Sequence, residues 1–220
     1  YIMTTDTAQT GQAFITIDAN GQNTILVYGG ANMELNDTDV NKAADAIAEA
    51  DYIIAQLEVP VPAIISAFKI ARENNVTTIL NPAPASELSK DLLTLTDIIV
   101  PNETEAELLS GIAVTDRASM HQNAEYFLSL GMKVVIITLG EQGTYYATAN
   151  SAGLIPSFKV KAIDTTAAGD TFIGAFASRL NMTDFNIEES ITYANKAASL
   201  TVQVEGAQKS IPLEQDVLKA

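Results

Sequence analysis

Tyr52–Leu80 reads YIIAQLEVPVPAIISAFKIARENNVTTIL, and this stretch decides the fold class. Tyr52 to Gln56 is a short apolar run of strand length. Pro60 and Pro62 suit the opening turn of a helix, where a missing N–H removes no hydrogen bond. Ile64, Ala67, Phe68 and Ala71 then fall at i, i+3, i+4 and i+7, the spacing of one buried helical face. Thr77 to Leu80 is β-branched and apolar, so the unit reads strand, helix, strand.

The alternation continues outward from this unit. Asn81-Pro-Ala-Pro-Ala85 is a stiff loop, and Asp97 to Val100 is the next strand. After Pro101, Asn102-Glu-Thr-Glu105 can cap a helix. A helix around Ser119 to Leu130 leads to the strand Val134 to Thr138, and short β segments are expected near Tyr145–Ala147 and Phe158–Ile163. Then comes a helix with Ile173, Phe176, Ala177 and Leu180 on one face, and another from Ile187 to Val202. On the N-terminal side, Asp37 or Thr38 is expected to cap a helix reaching about Ala50. Apolar strands alternating with amphipathic helices imply an α/β fold, a mostly parallel sheet sandwiched by helices in the Rossmann-like manner. Ligands of such sheets sit beyond the C-terminal strand ends, where this chain places Glu58, Asn81, Asn102, Thr138 and the run Asp164–Asp170.

The first residues differ. Phe14 to Asp18 and Thr24 to Tyr28 alternate, with Asn20-Gly21 as a type I′ hairpin signal, and Tyr28-Gly-Gly-Ala-Asn32 follows as a joint. A hairpin met at once, before any domain, leads us to expect that upstream sequence is missing.

Composition narrows the function. Lys and Arg number 12 against 27 Asp and Glu, a net charge of −15, which repels nucleic acid and anionic membrane surfaces. Neither is expected as a partner. There is no cysteine, hence no disulfide or thiolate metal site, and a reducing cytoplasm suits the chain. The opening residues lack the basic region and apolar run of a secretory signal. The single histidine, His121, falls in a polar helical stretch and is expected at the surface.

The strongest chemical signal is Asp164-Thr-Thr-Ala-Ala-Gly-Asp170 at a strand–loop–helix junction. Ala167, Ala168 and Gly169 are small enough for a ligand to approach the backbone, and amides at a helix start favour an anion. Asp170 beside them can take the proton of an attacking hydroxyl; phosphoryl transfer needs both parts. By itself the same heptapeptide also reads as an ordinary helix cap.

This heptapeptide resembles the C-terminal signature of the ribokinase-like carbohydrate kinases. Further segments resemble the family in order: Gln56-Leu-Glu58 with Asn81–Ala85, Asn102-Glu-Thr-Glu-Ala-Glu107, Thr138-Leu-Gly-Glu-Gln-Gly143, and Gly206-Ala-Gln-Lys-Ser210. The resemblance implies ATP-dependent phosphorylation of a sugar, D-ribose foremost, giving D-ribose 5-phosphate. Fructose, a ketodeoxy sugar acid or a nucleoside such as adenosine is the alternative acceptor, and a non-catalytic nucleotide-binding fragment is a further alternative. It implies Asp170 as base, the amides of Ala167 to Asp170 as anion hole, and Glu58 as a sugar ligand. Nucleotide would be handled by Asn102, by Thr138, Leu139, Gly140, Glu141, Gln142 and Gly143, by Gly169, and by Asn195. Mg²⁺ would be held through water by Glu105. A monovalent cation, K⁺, would sit at Asp164, Thr166, Thr201, Val204, Gly206 and Ser210, mostly on carbonyl oxygens. The family's N-terminal sugar-binding loop has no counterpart, and Gly29-Gly-Ala-Asn32 echoes it only in part. The division expected is residues 1–33 as a partial β lid, through which two copies could pair, and 34–220 as the nucleotide-binding kinase core.

Overall fold

Pro60 caps, and Pro62 occupies the first turn of, a helix spanning Val61–Glu73, as the missing proline N–H groups require. In this computed structural model the described residues are 1–17, 23–184 and 186–220. They form two units, Tyr1–Asp97 and Ile98–Ala220.

The first unit begins with strands β1 (Gln12–Ile17) and β2 (Asn23–Tyr28), antiparallel with Gln12 opposite Tyr28. The Asn20-Gly21 turn signal lies outside the described residues. Next come α1 (Asp37–Lys42), α2 (Ala44–Ala48), β3 (Tyr52–Ala55), α3 (Val61–Glu73), β4 (Thr77–Leu80) and α4 (Lys90–Leu95). Strands β3 and β4 are parallel, Tyr52 opposite Thr77, joined by α3 as the sequence pattern requires. Ile64 and Phe68 of α3 pack with Leu80 and Leu92 in one buried cluster. The Asp97 carboxylate accepts from Arg72 Nη1 at 2.7 Å and from Thr78 N at 3.1 Å, fastening the end of this unit to α3 and β4.

The single helix expected up to Ala50 is instead α1 and α2. Ala43 N–H turns back to the Val40 carbonyl at 2.9 Å, a tight three-residue closure that ends α1. Its cap is Asn36, rather than Asp37 or Thr38: Asn36 Oδ1 accepts from Thr38 N at 3.0 Å and Asp39 N at 3.4 Å.

The second unit holds β5 (Ile98–Ile99), α5 (Glu103–Ser110), α6 (Arg117–Ser129), β6 (Val134–Thr138), β7 (Thr144–Thr148), β8 (Ala152–Ile155), α7 (Ala168–Arg179), α8 (Ile187–Thr201) and α9 (Glu214–Lys219). Its strands run in the order β5-β6-β7-β8. The β5–β6 pair is parallel, while β7 and β8 add antiparallel. Val134, Val135, Ile136 and Ile137 are wholly buried, the mark of a central strand covered on both faces. With two parallel ladders and an antiparallel extension, the α/β class read from the sequence holds.

One local reading does not hold. Phe158–Ile163 is no strand; its alternating apolar residues find no partner strand, and Ile163 N–H donates instead to the Val202 carbonyl at 2.7 Å. The hairpin partner of β7 is β8, brought round by a turn in which Thr148 N–H reaches the Ser151 carbonyl at 2.8 Å. Helix α6 starts at Arg117, two residues before the expected Ser119, because Asp116 caps it and Ser119 closes the capping box. Among the described residues no helix is long and apolar enough to cross a membrane.

Candidate active site

Helix α7 starts without a capping side chain. Its N-cap is Ala167, left-handed at φ 61°, ψ 12°, and Thr171 N–H closes the first turn on the Ala167 carbonyl at 2.9 Å. Ser, Thr, Asp or Asn would normally satisfy the amides there, and alanine offers them nothing. Ala168 N–H reaches the Thr165 carbonyl at 3.3 Å, but among the described residues the amides of Ala167, Gly169 and Asp170 have no acceptor. Asp170 is the third residue of α7, is exposed, and makes no capping bond. The ordinary-cap reading of the heptapeptide is therefore excluded. Around Gly169 a Cβ would meet no atom within 4 Å, so the side-chain face of this residue is open.

The loop leading to α7 is held by Asp164. Its carboxylate accepts from Thr166 N at 2.9 Å and from Gly206 N at 2.8 Å. The Thr166 side chain, the Gly206 N–H and the Thr166 N–H hold its pKa down at about 2, with Lys209 adding a smaller pull. One carboxylate thus joins Asp164–Thr166 to the segment carrying Val204, Gly206 and Ser210. Among the described residues the carbonyls of Asp164, Thr166, Val204 and Gly206 accept no hydrogen bond. Uncommitted carbonyl oxygens are what a hard, weakly hydrated cation requires. Ser210 is buried with its hydroxyl on the Ala207 carbonyl at 2.6 Å. No cluster of three or more His, Cys, Asp or Glu occurs among the described residues.

A second group gathers where β5 and β6 end. Asn102 bridges Thr138 in parallel register, and Thr138 N–H donates to the Pro101 carbonyl at 2.9 Å. Asn102 and Glu105 form a reciprocal capping box on α5, with Glu105 N–H to Asn102 Oδ1 at 2.8 Å and Asn102 N–H to Glu105 Oε2 at 2.9 Å. Burial pushes the Glu105 carboxyl above its ordinary range, against the pull of the Asn102 N–H. Its Oε1 stays uncommitted among the described residues, so Glu105 can still take a hydrogen bond from a metal-bound water.

After Thr138 the chain makes a 3-10 turn, Gly140–Gln142, between buried Leu139 and β7. Gly140, Glu141 and Gln142 are exposed. Gly143 is closely packed: at φ 111°, a Cβ there would lie 2.1 Å from the Ile155 carbonyl. Asn195, on α8, is buried and spends its amide inside the protein. Its Oδ1 accepts from Thr144 Oγ1 at 2.7 Å, and its Nδ2 reaches the Ile155 and Pro156 carbonyls at 3.3 Å.

In the first unit, Glu58 is half-buried at the end of β3. Gln56 Oε1 accepts the Glu58 N–H at 2.5 Å, and Leu57 N–H donates to the Ala83 carbonyl at 2.8 Å, so Gln56–Glu58 lies against the Asn81–Ala85 loop. His121 is on the surface of α6 beside Glu125.

The sequence reading missed two participants. The buried Thr171 hydroxyl meets Thr201 Oγ1 at 3.0 Å, and the Val202 carbonyl takes two loop amides. Thr171, between Asp170 and Phe172, carried a weak signal, a hydroxyl on a buried face; a backbone carbonyl leaves none.

A carboxylate beside unclaimed amides at a helix start, on a mostly parallel α/β scaffold, has the parts that phosphoryl transfer needs. Residues 1–214 match the model of the pfkB family carbohydrate kinases, and the chain belongs to that family. It is 64% identical over 217 residues to the ribokinase of Staphylococcus aureus strain COL, covering 99% of this chain and 71% of that one. It is 56% identical to the bifunctional ribokinase/ribose-5-phosphate isomerase A of Fructilactobacillus sanfranciscensis, over 99% of this chain and 40% of that one. The structure of Arabidopsis thaliana ribokinase complexed with ribose and ATP matches with a TM-score of 0.89 at 32% identity, covering 97% of this chain and 69% of that chain.

Proposed function

We propose that this chain transfers the terminal phosphoryl group of ATP to the 5-hydroxyl of D-ribose, giving ADP and D-ribose 5-phosphate. The observation that carries this is the start of α7, where the amides of Gly169 and Asp170 are unclaimed beside the exposed Asp170 carboxylate. The ribokinase names of its relatives support ribose as the acceptor.

Asp170 accepts a hydrogen bond from the sugar hydroxyl and points its oxygen at the phosphorus. The bond from phosphorus to the ADP oxygen breaks as the new sugar–phosphate bond forms. A carboxylate is a weak base toward an alcohol, so the proton reaches Asp170 late, once the oxygen has bonded to phosphorus. The unclaimed amides stabilise charge on the transferring oxygens, fixed in place before the reaction begins. We assign Glu58 to the sugar hydroxyls and Asn102, with Thr138 and the exposed Gly140–Gln142 turn, to the nucleotide.

Glu105 and Asn102 fit the water shell of a Mg²⁺ ion, which when bound would neutralise phosphate charge. The carbonyls of Asp164, Thr166, Val204 and Gly206 fit K⁺, which when bound would stiffen the loop. Residues 1–33 we assign as a β lid able to pair with a second copy, since Phe14 and Leu26 are 55% and 70% exposed. A cytoplasmic setting suits a cysteine-free chain acting on ATP.

A coupled ADP-release assay on the complete gene product with ribose, fructose and adenosine tests the reading. Ribose-dependent ADP release is expected, with Asp170→Asn lowering kcat at least about 10²-fold and leaving ATP binding nearly intact. No ribose-dependent ADP, or an Asp170→Asn variant as fast as the wild type, would sink it.

A further inference from the structure

Two consecutive residues at the C-terminal end of α8 hold both ends of the loop that supplies the unclaimed amides. At the entry, the Val202 carbonyl accepts from Ile163 N at 2.7 Å and Asp164 N at 3.2 Å. At the exit, Thr201 Oγ1 donates to Thr171 Oγ1 at 3.0 Å and also reaches the Ala197 carbonyl of its own helix at 3.2 Å. Thr171 follows Asp170 directly. It is 5% exposed and Thr201 is 0% exposed, so neither hydroxyl has water as an alternative partner.

Apolar packing alone would hold α7 against α8 but tolerates rotation of one helix about its axis. A hydroxyl pair does not, because a turned helix would strand the buried Thr171 hydroxyl. Successive helical residues point about 100° apart, so anchoring Thr171 inward sets the direction of Asp170 and of the amide before it. No capping side chain fixes this turn, since Ala167 brings none.

We propose that Thr171 is a positioning residue, whose hydroxyl, held by Thr201, sets the rotation of the first turn of α7 and thereby aims Asp170 and the Gly169 and Asp170 amides. The inference rests on the phosphotransfer reading of this site, and Val202 completes the clamp through its backbone.

The test uses the full chain with Thr171→Val, Thr201→Val, the double variant and Thr171→Ser. Valine keeps the shape and removes the hydroxyl; the Thr201 backbone carbonyl is untouched. Each single valine variant is expected to lower kcat about 10-fold with KM for ATP and ribose nearly unchanged, and Thr171→Ser to restore it. Hydrogen exchange at the amides of residue 171 and Phe172 is expected to quicken about 10-fold in the single variants, a readout that needs no turnover. The double variant separates positioning from mere stability. Two matched apolar groups should recover the melting temperature, while kcat and exchange stay impaired. Recovery of all three together, or a folded Thr171→Val with wild-type kcat and exchange, would overturn the proposal. A wild-type chain without ribose-dependent turnover would fail the kinase reading alone, leaving the clamp to be judged by exchange.

Discussion

Ala167 is the residue at which this chain spends stability on its site. A non-glycine residue at φ 61° costs on the order of 1 kcal/mol, and an N-cap without a side-chain acceptor costs about 1 kcal/mol more. The missing acceptor leaves the amides of Gly169 and Asp170 unclaimed among the described residues. Ala167→Gly should relieve the first but loosen the unfolded chain by a similar amount, leaving stability within about 1 kcal/mol of wild type. Ala167→Val, β-branched at a left-handed position, should lose about 2 kcal/mol or more in urea unfolding. Equal stability of the two variants would mean the left-handed turn is not what holds the loop. The small residues before Asp170 were plain in the sequence. Their left-handed entry was not, because alanine has no preference for that region and only the joining of loop and helix imposes it.

The Thr138–Gly143 turn passes close against the end of β8. Gly143→Ala would drive a methyl to within 2.1 Å of the Ile155 carbonyl at a positive φ, and we expect a loss above about 2 kcal/mol. Gly140→Ala, at φ 53° but facing open space, should cost only about 1 kcal/mol. Equal losses in denaturant melts would refute the packing role of Gly143. At the start of α6, the Ser119 backbone N–H and then its hydroxyl hold the Asp116 carboxyl below its ordinary pKa. A depressed carboxyl contributes stability that is complete above the unfolded value, near 3.9, and fades as pH falls through the lower folded value. Asp116→Ala should therefore lower the melting temperature at pH 7 and pH 5, with the gap closing as the pH drops below about 4. Periodicity revealed most helices because one face of each is buried. It misled at Phe158–Ile163, since alternation states a tendency to pair and cannot supply the partner.

Across the whole molecule, the net charge of −15 governs the long-range electrostatics. Like charges destabilise the folded state, and salt screens them, the Debye length being about 10 Å at 0.1 M. The melting temperature should rise between about 10 and 150 mM salt, equally in sodium and tetramethylammonium chlorides. A rise confined to the small cation would show ion binding rather than screening. The strand–helix–strand grammar, the acidic surface, and the candidate role of Asp170 were determined by the sequence alone, because spacing, charge and a local junction are properties of neighbours along the chain. Tertiary structure decided that Asp164 ties its loop to Gly206, that Asn195 braces β7 and the Ile155–Pro156 turn, and that Thr171 meets Thr201. Those bonds join residues 30 to 51 positions apart and use backbone amides or common hydroxyls, which acquire meaning only when folding brings them within 3 Å.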